Sequence, residues 1–109
     1  EINEATKIIA QSAFQKCQKL ENVVLPSGLR IIEDGAFKDC RSLSSVIIPN
    51  SVIYIGDSAF TSSLPGLNIV FYTGTEEEWN KIDRSKNWLA NANGESNSGS
   101  LQIVYNYSA

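Results

Sequence analysis

The side chains that could do chemistry in this 109-residue chain are few, and their types exclude most reactions. There is no histidine, which removes imidazole acid–base work, Ser-His-Asp and Cys-His nucleophilic pairs, and imidazole metal ligation. Cys17 and Cys40 without histidine do not make a zinc site, and no G-x-x-x-x-G-K-[ST] loop is present to cradle a phosphate. Carboxylates remain, densest at Glu33-Asp34 and Glu76-Glu77-Glu78. A carboxylate pair can run general acid–base catalysis when both members face one cleft. Here the first pair precedes a turn and the second opens a helix, so structural roles account for both. The expectation is a protein that is not an enzyme and holds no cofactor and no metal. A carbohydrate-active enzyme fragment is the remote alternative, because Trp79, Trp88, Tyr105 and Tyr107 could supply a sugar platform; both tryptophans are expected to be largely buried instead.

The elements that position these residues follow from a period. Phe14, Phe37 and Phe60 recur at intervals of 23 residues, as do Ala13, Ala36 and Ala59, and Ile9, Ile32 and Ile55. Cys17 with Cys40, Leu20 with Leu43, Val23 with Val46 and Ile69, and Pro26 with Pro49 keep the same step. A fixed period in the twenties with matched apolar positions predicts a solenoid, in which each unit buries its apolar face against its neighbours. We read one domain over residues 1–109: a truncated upstream repeat (1–7), three repeats (8–72) and a C-terminal capping unit (73–109). Residue 1 falls part-way into a repeat, as in an excised or mature fragment. The cysteines, at equivalent points of successive units, read as a buried ladder of free thiols. A Cys17–Cys40 disulfide is the alternative and would indicate an oxidising compartment.

A net charge of −3 and an isoelectric point near 4.8 provide no basic field for nucleic acid or an anionic membrane. No apolar run approaches the roughly 20 residues that cross a bilayer, so neither nucleic acid nor membrane insertion is expected.

Within each unit the segment Leu20-x-x-Val23-x-Leu25-Pro26, repeated as Leu43-x-x-Val46-x-Ile48-Pro49, reads as a strand that stops at proline, which lacks the N–H a ladder would use. Residues 11–17 and 34–40 are too short for stable isolated helices and read as one or two turns held by packing, with Gly35 and Gly56 at tight bends. The third strand is expected as Leu67-x-Ile69-x-Phe71, with Ile69 in register with Val46 and Tyr72 in place of proline. Thr75-Glu76-Glu77-Glu78 is a capping-box pattern; Trp79 and Ile82 follow on one helix face and Glu77 and Lys81 on the other. Trp88 and Leu89 are expected to return to the core. Residues 91–100, NANGESNSGS, have the composition of a mobile loop. Leu101-x-Ile103-x-Tyr105-x-Tyr107 alternates as a last strand of the same sheet.

If Val23, Leu25, Val46, Ile48, Ile69, Phe71, Ile103 and Tyr105 face inward, alternation sends Val24, Ile47, Val70 and Val104 outward. Asn22, Ser45, Asn68 and Gln102 flank this apolar stripe. These eight residues are the candidate partner-binding surface, since contiguous exposed apolar patches often mark interaction sites. The competing account is plain strand propensity, because β-branched residues favour strands even when solvated.

The pattern I-x-x-x-A-F-x-x-C-x-x-L-x-x-V-x-[LI]-P-x-[GS]-[LV], from Ile8 to about Tyr72, resembles the BspA-like leucine-rich repeats of many bacterial surface proteins and some protist ones. The run Phe71-Tyr72-Thr73-Gly74-Thr75-Glu76-Glu77-Glu78-Trp79-Asn80-Lys81-Ile82 is similar to the closing unit of such arrays. Departures lie at Thr6, at Ser63 in the cysteine position, and in the Leu64-Pro65-Gly66 link. The resemblance implies an α/β leucine-rich-repeat solenoid, right-handed and curved, with a parallel sheet on the concave face and short turns, strands or helical turns on the convex side. It also implies an extracellular or cell-surface bacterial protein with a non-enzymatic interaction or adhesion role. Its partner would be a host matrix or other cell-surface protein, or a second copy of itself. The alternative is a structural spacer that displays another domain and has no ligand of its own.

Overall fold

The structure is a computed structural model and describes residues 5–17, 19–40, 42–60, 67–85, 88 and 102–108. The paired isoleucines at the start of each unit form very short strands, β1 (Ile8–Ile9), β3 (Ile31–Ile32) and β5 (Tyr54–Ile55), joined by β7 (Asp83–Arg84). The L-x-x-V segments form the longer β2 (Asn22–Val24), β4 (Ser45–Ile48), β6 (Ile69–Tyr72) and β8 (Gln102–Val104). Successive strands alternate between two four-stranded sheets, ordered β1-β3-β5-β7 and β2-β4-β6-β8, and every pairing is parallel. Each repeat thus gives one strand to each sheet. The core lies between them: Ile9, Ile32 and Ile55 from one sheet, Val23, Val46 and Val70 from the other, and Phe37 and Phe60 alongside.

Between the two strands of each of the first two units the described residues turn without forming a helix, because their amides are spent on the neighbouring unit. The N–H groups of Ser12, Phe14 and Lys16 donate to the carbonyls of Asp34, Ala36 and Lys38 at 3.2, 2.8 and 2.8 Å. Gly35 and Phe37 donate in the same way to Asp57 and Ala59 at 2.9 and 2.8 Å. A donor used across units is lost to an i→i−4 bond. The bends are made by left-handed residues at one recurring position, Ser12, Gly35 and Ser58 (φ 58, 65 and 58°), and at a second, Lys16 and Asp39 (φ 63 and 61°). Only Gly35 adopts this conformation without a steric cost. Gly56 serves differently: an added Cβ would meet the Asp34 amide nitrogen at 2.6 Å and the Glu33 carbonyl carbon at 2.9 Å, so its neighbour's backbone occupies that space.

The phenylalanine ladder is a true stack. Phe14 lies 5.2 Å from Phe37 with rings 4° from parallel, Phe37 lies 5.2 Å from Phe60 at 5°, and Trp88 closes the column edge-on at 6.0 Å. Cys17 and Cys40 are free thiols beside it. The Cys40 thiol donates to the Phe14 carbonyl at 3.0 Å, and burial pushes its pKa up.

Helix α1 (Glu76–Asn80) starts as the capping box requires. Thr75 accepts from the Glu78 amide at 3.1 Å, and the Glu78 carboxylate accepts from the Thr75 amide at 2.9 Å. Trp79 and Ile82 are buried, while Glu77 and Lys81 lie exposed. The Arg84 guanidinium lies 4.7 Å over the Trp79 ring and donates to its carbonyl at 2.9 Å. Trp88 is half-buried; Leu89, Ser63, the Leu64-Pro65-Gly66 link and residues 91–101 lie outside the described residues.

One expectation is overturned, with consequences for the surface. Strand β6 pairs with β4 as Ser45↔Ile69, Val46↔Val70, Ile47↔Phe71 and Ile48↔Tyr72, a step of 24 residues. Val70 and Tyr72 are therefore core residues, 0% and 1% exposed, and Ile69 and Phe71 point the other way, half-buried. Leu67, buried, takes the role of Leu43. Thr73, not Tyr72, stands in place of Pro49, and it uses the N–H that proline lacks to donate to the Ile48 carbonyl at 3.2 Å. Phe60 still keeps the 23-residue step, so the extra residue falls between Phe60 and Leu67. A one-residue shift exchanges the two faces of a strand.

Candidate partner-binding face

The outward side of the β2-β4-β6-β8 sheet carries two rows in register. Val24, Ile47, Phe71 and Val104 form one; Asn22, Ser45, Ile69 and Gln102 form the other. At about 4.8 Å per parallel strand each row spans roughly 14 Å. Val24 is 67% exposed, and Ile47, Phe71 and Val104 are half-buried. The Ser45 hydroxyl donates to the Asn22 side-chain oxygen, holding the polar row together at its first two members.

Of the eight residues expected here, Asn22, Val24, Ser45, Ile47, Gln102 and Val104 face outward on this sheet as read. Val70 does not: the 24-residue step turns it into the core. Asn68 is exposed but precedes β6, donating to the Ser44 carbonyl at 3.1 Å, and so falls one step ahead of the row that holds Ser45. Phe71, Ile69 and Tyr107 take part instead. Phe71 replaces Val70 in the apolar row, and the Tyr107 ring tilts onto it with centroids 4.7 Å apart. Tyr107 is held there by its amide, which donates to the Tyr72 carbonyl at 2.9 Å, after a left-handed turn at Asn106 (φ 56°). The sequence carried a signal for this phase: Leu67-x-x-Val70-x-Tyr72 matches the spacing of Leu43-x-x-Val46-x-Ile48.

The two rows contain no ionisable side chain. What this face can do is desolvate against apolar surface and exchange hydrogen bonds through amides and a hydroxyl. The carboxylates lie elsewhere, tying units together: Glu33 accepts from the Gln11 amide at 3.0 Å, Asp34 from the Asp57 amide at 2.9 Å, and Asp57 from the Ser85 hydroxyl at 3.0 Å. Among the described residues no group of histidine, cysteine, aspartate or glutamate could hold a metal ion, and no helix is long and apolar enough to cross a membrane. Among the described residues Trp79, Trp88 and Tyr105 form no open platform. Trp79 is buried with Tyr72 edge-on at 5.1 Å, Trp88 abuts Phe60 and Trp79, and Tyr105 packs against the core.

Two sheets of parallel strands, built from units whose matched positions recur every 23 residues with one extra residue before the third long strand, and closed by a capped helix, define a repeat array of the leucine-rich kind. The chain belongs to the BspA type leucine rich repeat region family, whose model matches residues 1–83 in six copies. No curated protein and no solved structure matches the chain. The family is generally non-enzymatic, typically found in surface proteins, and consistent with a protein-interaction repeat module.

Proposed function

We propose that this chain is a non-enzymatic protein-binding module of a secreted or cell-surface protein, and that its partner sits on the outward face of the β2-β4-β6-β8 sheet. This face is the concave side of a curved, right-handed solenoid, and the partner is a matrix or other cell-surface protein. The observation that carries the reading is the row Val24, Ile47, Phe71 and Val104, four apolar side chains aligned by ladder register, with an aromatic among them against which the Tyr107 ring is tilted. Aromatic residues are enriched at the cores of protein interfaces, and truncating a hot-spot residue costs about 2 kcal/mol of affinity or more.

The test is capture of matrix and cell-surface proteins by the immobilised chain, with Ile47→Lys/Phe71→Lys as control. Two ammonium groups in the middle of the row add charge where an apolar partner must desolvate, while both positions lie outside the core. The expected result is loss of capture with an unchanged far-ultraviolet circular dichroism spectrum. Capture that survives both lysines rules out this face. If the unaltered chain captures nothing, the repeats act as a spacer.

A further inference from the structure

Cys17 and Cys40 occupy the same point of two successive turns, and the local backbone is alike at both. Each follows a left-handed residue, Lys16 and Asp39 (φ 63 and 61°). Each amide donates to the carbonyl three residues back, Cys17 to Phe14 at 3.2 Å and Cys40 to Phe37 at 3.4 Å. Each carbonyl accepts from the leucine three residues on, Leu20 at 3.2 Å and Leu43 at 3.0 Å. The two turns are joined directly beside them, where the Lys16 amide donates to the Lys38 carbonyl at 2.8 Å and the Phe14 and Phe37 rings stack at 5.2 Å. Matching backbones held about 5 Å apart lie within the Cα separation of roughly 4.4–6.8 Å that a disulfide needs.

The sulfur positions agree. The Cys40 thiol is turned toward the first unit and donates to the Phe14 carbonyl at 3.0 Å, the same oxygen that the Cys17 amide uses. From there it is within hydrogen-bonding reach of both the Cys17 amide and the Cys17 thiol. Ser63 stands three residues after Phe60, where the two earlier units have cysteine, and the chain has no third thiol. A single intramolecular pairing therefore exists.

We propose that Cys17 and Cys40 are a modification site: in an oxidising medium they close to a disulfide that staples the first unit to the second, and the free thiols are the reduced form of the same site. The reaction is thiol–disulfide exchange with a small disulfide such as oxidised glutathione. One cysteine thiolate attacks it, giving a mixed disulfide and releasing one glutathione thiol. The other cysteine thiolate attacks the protein sulfur of that mixed disulfide, forming the Cys17–Cys40 bond and releasing the second. Two electrons pass from the protein sulfurs to the reagent, and the two thiol protons end on the released glutathione. Burial raises the Cys40 pKa, so its thiolate is scarce once the chain is folded, and the bond is made while the chain folds. It closes a loop that carries β2 and β3, and ties the turn before β2 to the turn before β4, which sets Val24 beside Ile47 in the outward row. The staple forms whether or not that row holds a partner.

The test is refolding of the reduced chain in a mixture of reduced and oxidised glutathione poised as in a secretory compartment, followed by mass spectrometry under non-reducing conditions and thermal melting with and without dithiothreitol. The expected product is a monomer lighter by two hydrogens. Its midpoint should lie roughly 10 °C above that of the reduced chain, from the entropy that closing a loop of about 24 residues removes from the unfolded state. Cys17→Ala should show neither change. A chain that stays reduced, that carries glutathione on one cysteine without closing, or that forms disulfide-linked dimers overturns the proposal. So does a closed bond that leaves the midpoint unchanged or lowers it, because the two turns would then not be set for it. If Cys17→Ala fails to fold, the unaltered chain with and without reductant still gives either result.

Discussion

Replacing Phe37 by alanine should be among the most costly single changes in this protein, and the structure supplies the reasons for its size. Phe37 is 1% exposed and sandwiched between Phe14 and Phe60, both at 5.2 Å and within 5° of parallel. Truncation removes a fully buried ring and leaves a slot whose walls are two other rings in a hydrogen-bonded backbone, so collapse is restricted. Phe→Ala in such a site costs about 3–5 kcal/mol. Folding entropy of about 2.1 cal/mol/K per residue over 109 residues gives roughly 0.23 kcal/mol/K, so the midpoint should fall by about 13–22 °C. Phe14→Ala is the internal comparison. It removes a half-buried ring stacked on one side only and should cost about half as much. Urea titration followed by circular dichroism at 25 °C measures both. A Phe37→Ala cost below about 2 kcal/mol, or one no larger than that of Phe14→Ala, would refute the claim that the ladder is held by mutual stacking of successive units.

Val70→Lys should unfold the chain, because it puts an unpaired ammonium at a site that is 0% exposed, whereas Phe71→Lys should cost only about 1 kcal/mol through the lost Tyr107 contact; urea midpoints of the two variants decide the register. Thr75→Ala removes the acceptor for the Glu78 amide and should cost about 1 kcal/mol by the same assay. Stability should also fall at alkaline pH. Burial raises the pKa of both Cys40 and Tyr72 above their ordinary values of 9.0 and 10.0, so the folded state holds protons that the unfolded chain releases. Their contribution is complete below those ordinary values and is lost as pH rises through the folded ones. Thermal midpoints between pH 7 and 11 should show the decline, with a smaller one in Cys40→Ala.

Much of the architecture was legible because it rests on identity between units. The 23-residue recurrence of Ile9, Phe14, Val23 and their copies in the second unit defined the strands of the first two units and the phenylalanine ladder, since each copy meets the same neighbours, and the capping-box pattern at Thr75–Glu78 defined the helix start. Strand β7 was not legible: Asp83-Arg84 has no alternation and no counterpart in the period, and it joins the first sheet only because α1 and Ile82 deliver it beside β5. The glycines were half-read. Gly35 bends in the left-handed region as expected, but Gly56 does not, and its small size matters because the Glu33-Asp34 backbone lies against it.

The surface proved harder to read than the core, and the cause is a single residue. Both phases of the third strand are apolar at alternate positions, Ile69 and Phe71 in one and Val70 and Tyr72 in the other, so alternation alone cannot choose between them. The choice is made by Leu67, which fills the place of Leu43 only if the link before it has absorbed one extra residue. Once that happens, Val70 and Tyr72 enter the core and Phe71 is delivered to the sheet face between Ile47 and Val104. A departure from the period has thus put an aromatic where the regular repeats place β-branched residues, and Tyr107 supports it from the closing segment. In an array whose regular positions only repeat the core, the residue that breaks the period is the one that makes this face differ from a bare sheet. Deleting one residue between Phe60 and Leu67 brings Leu67, Val70 and Tyr72 to the regular step from Leu43, Val46 and Ile48, so Val70 should stay in the core and Phe71 on the face. Partner capture should survive that deletion, whereas Phe71→Ala should weaken capture more than it weakens stability, and capture unaffected by Phe71→Ala would show that Phe71 plays no part in binding.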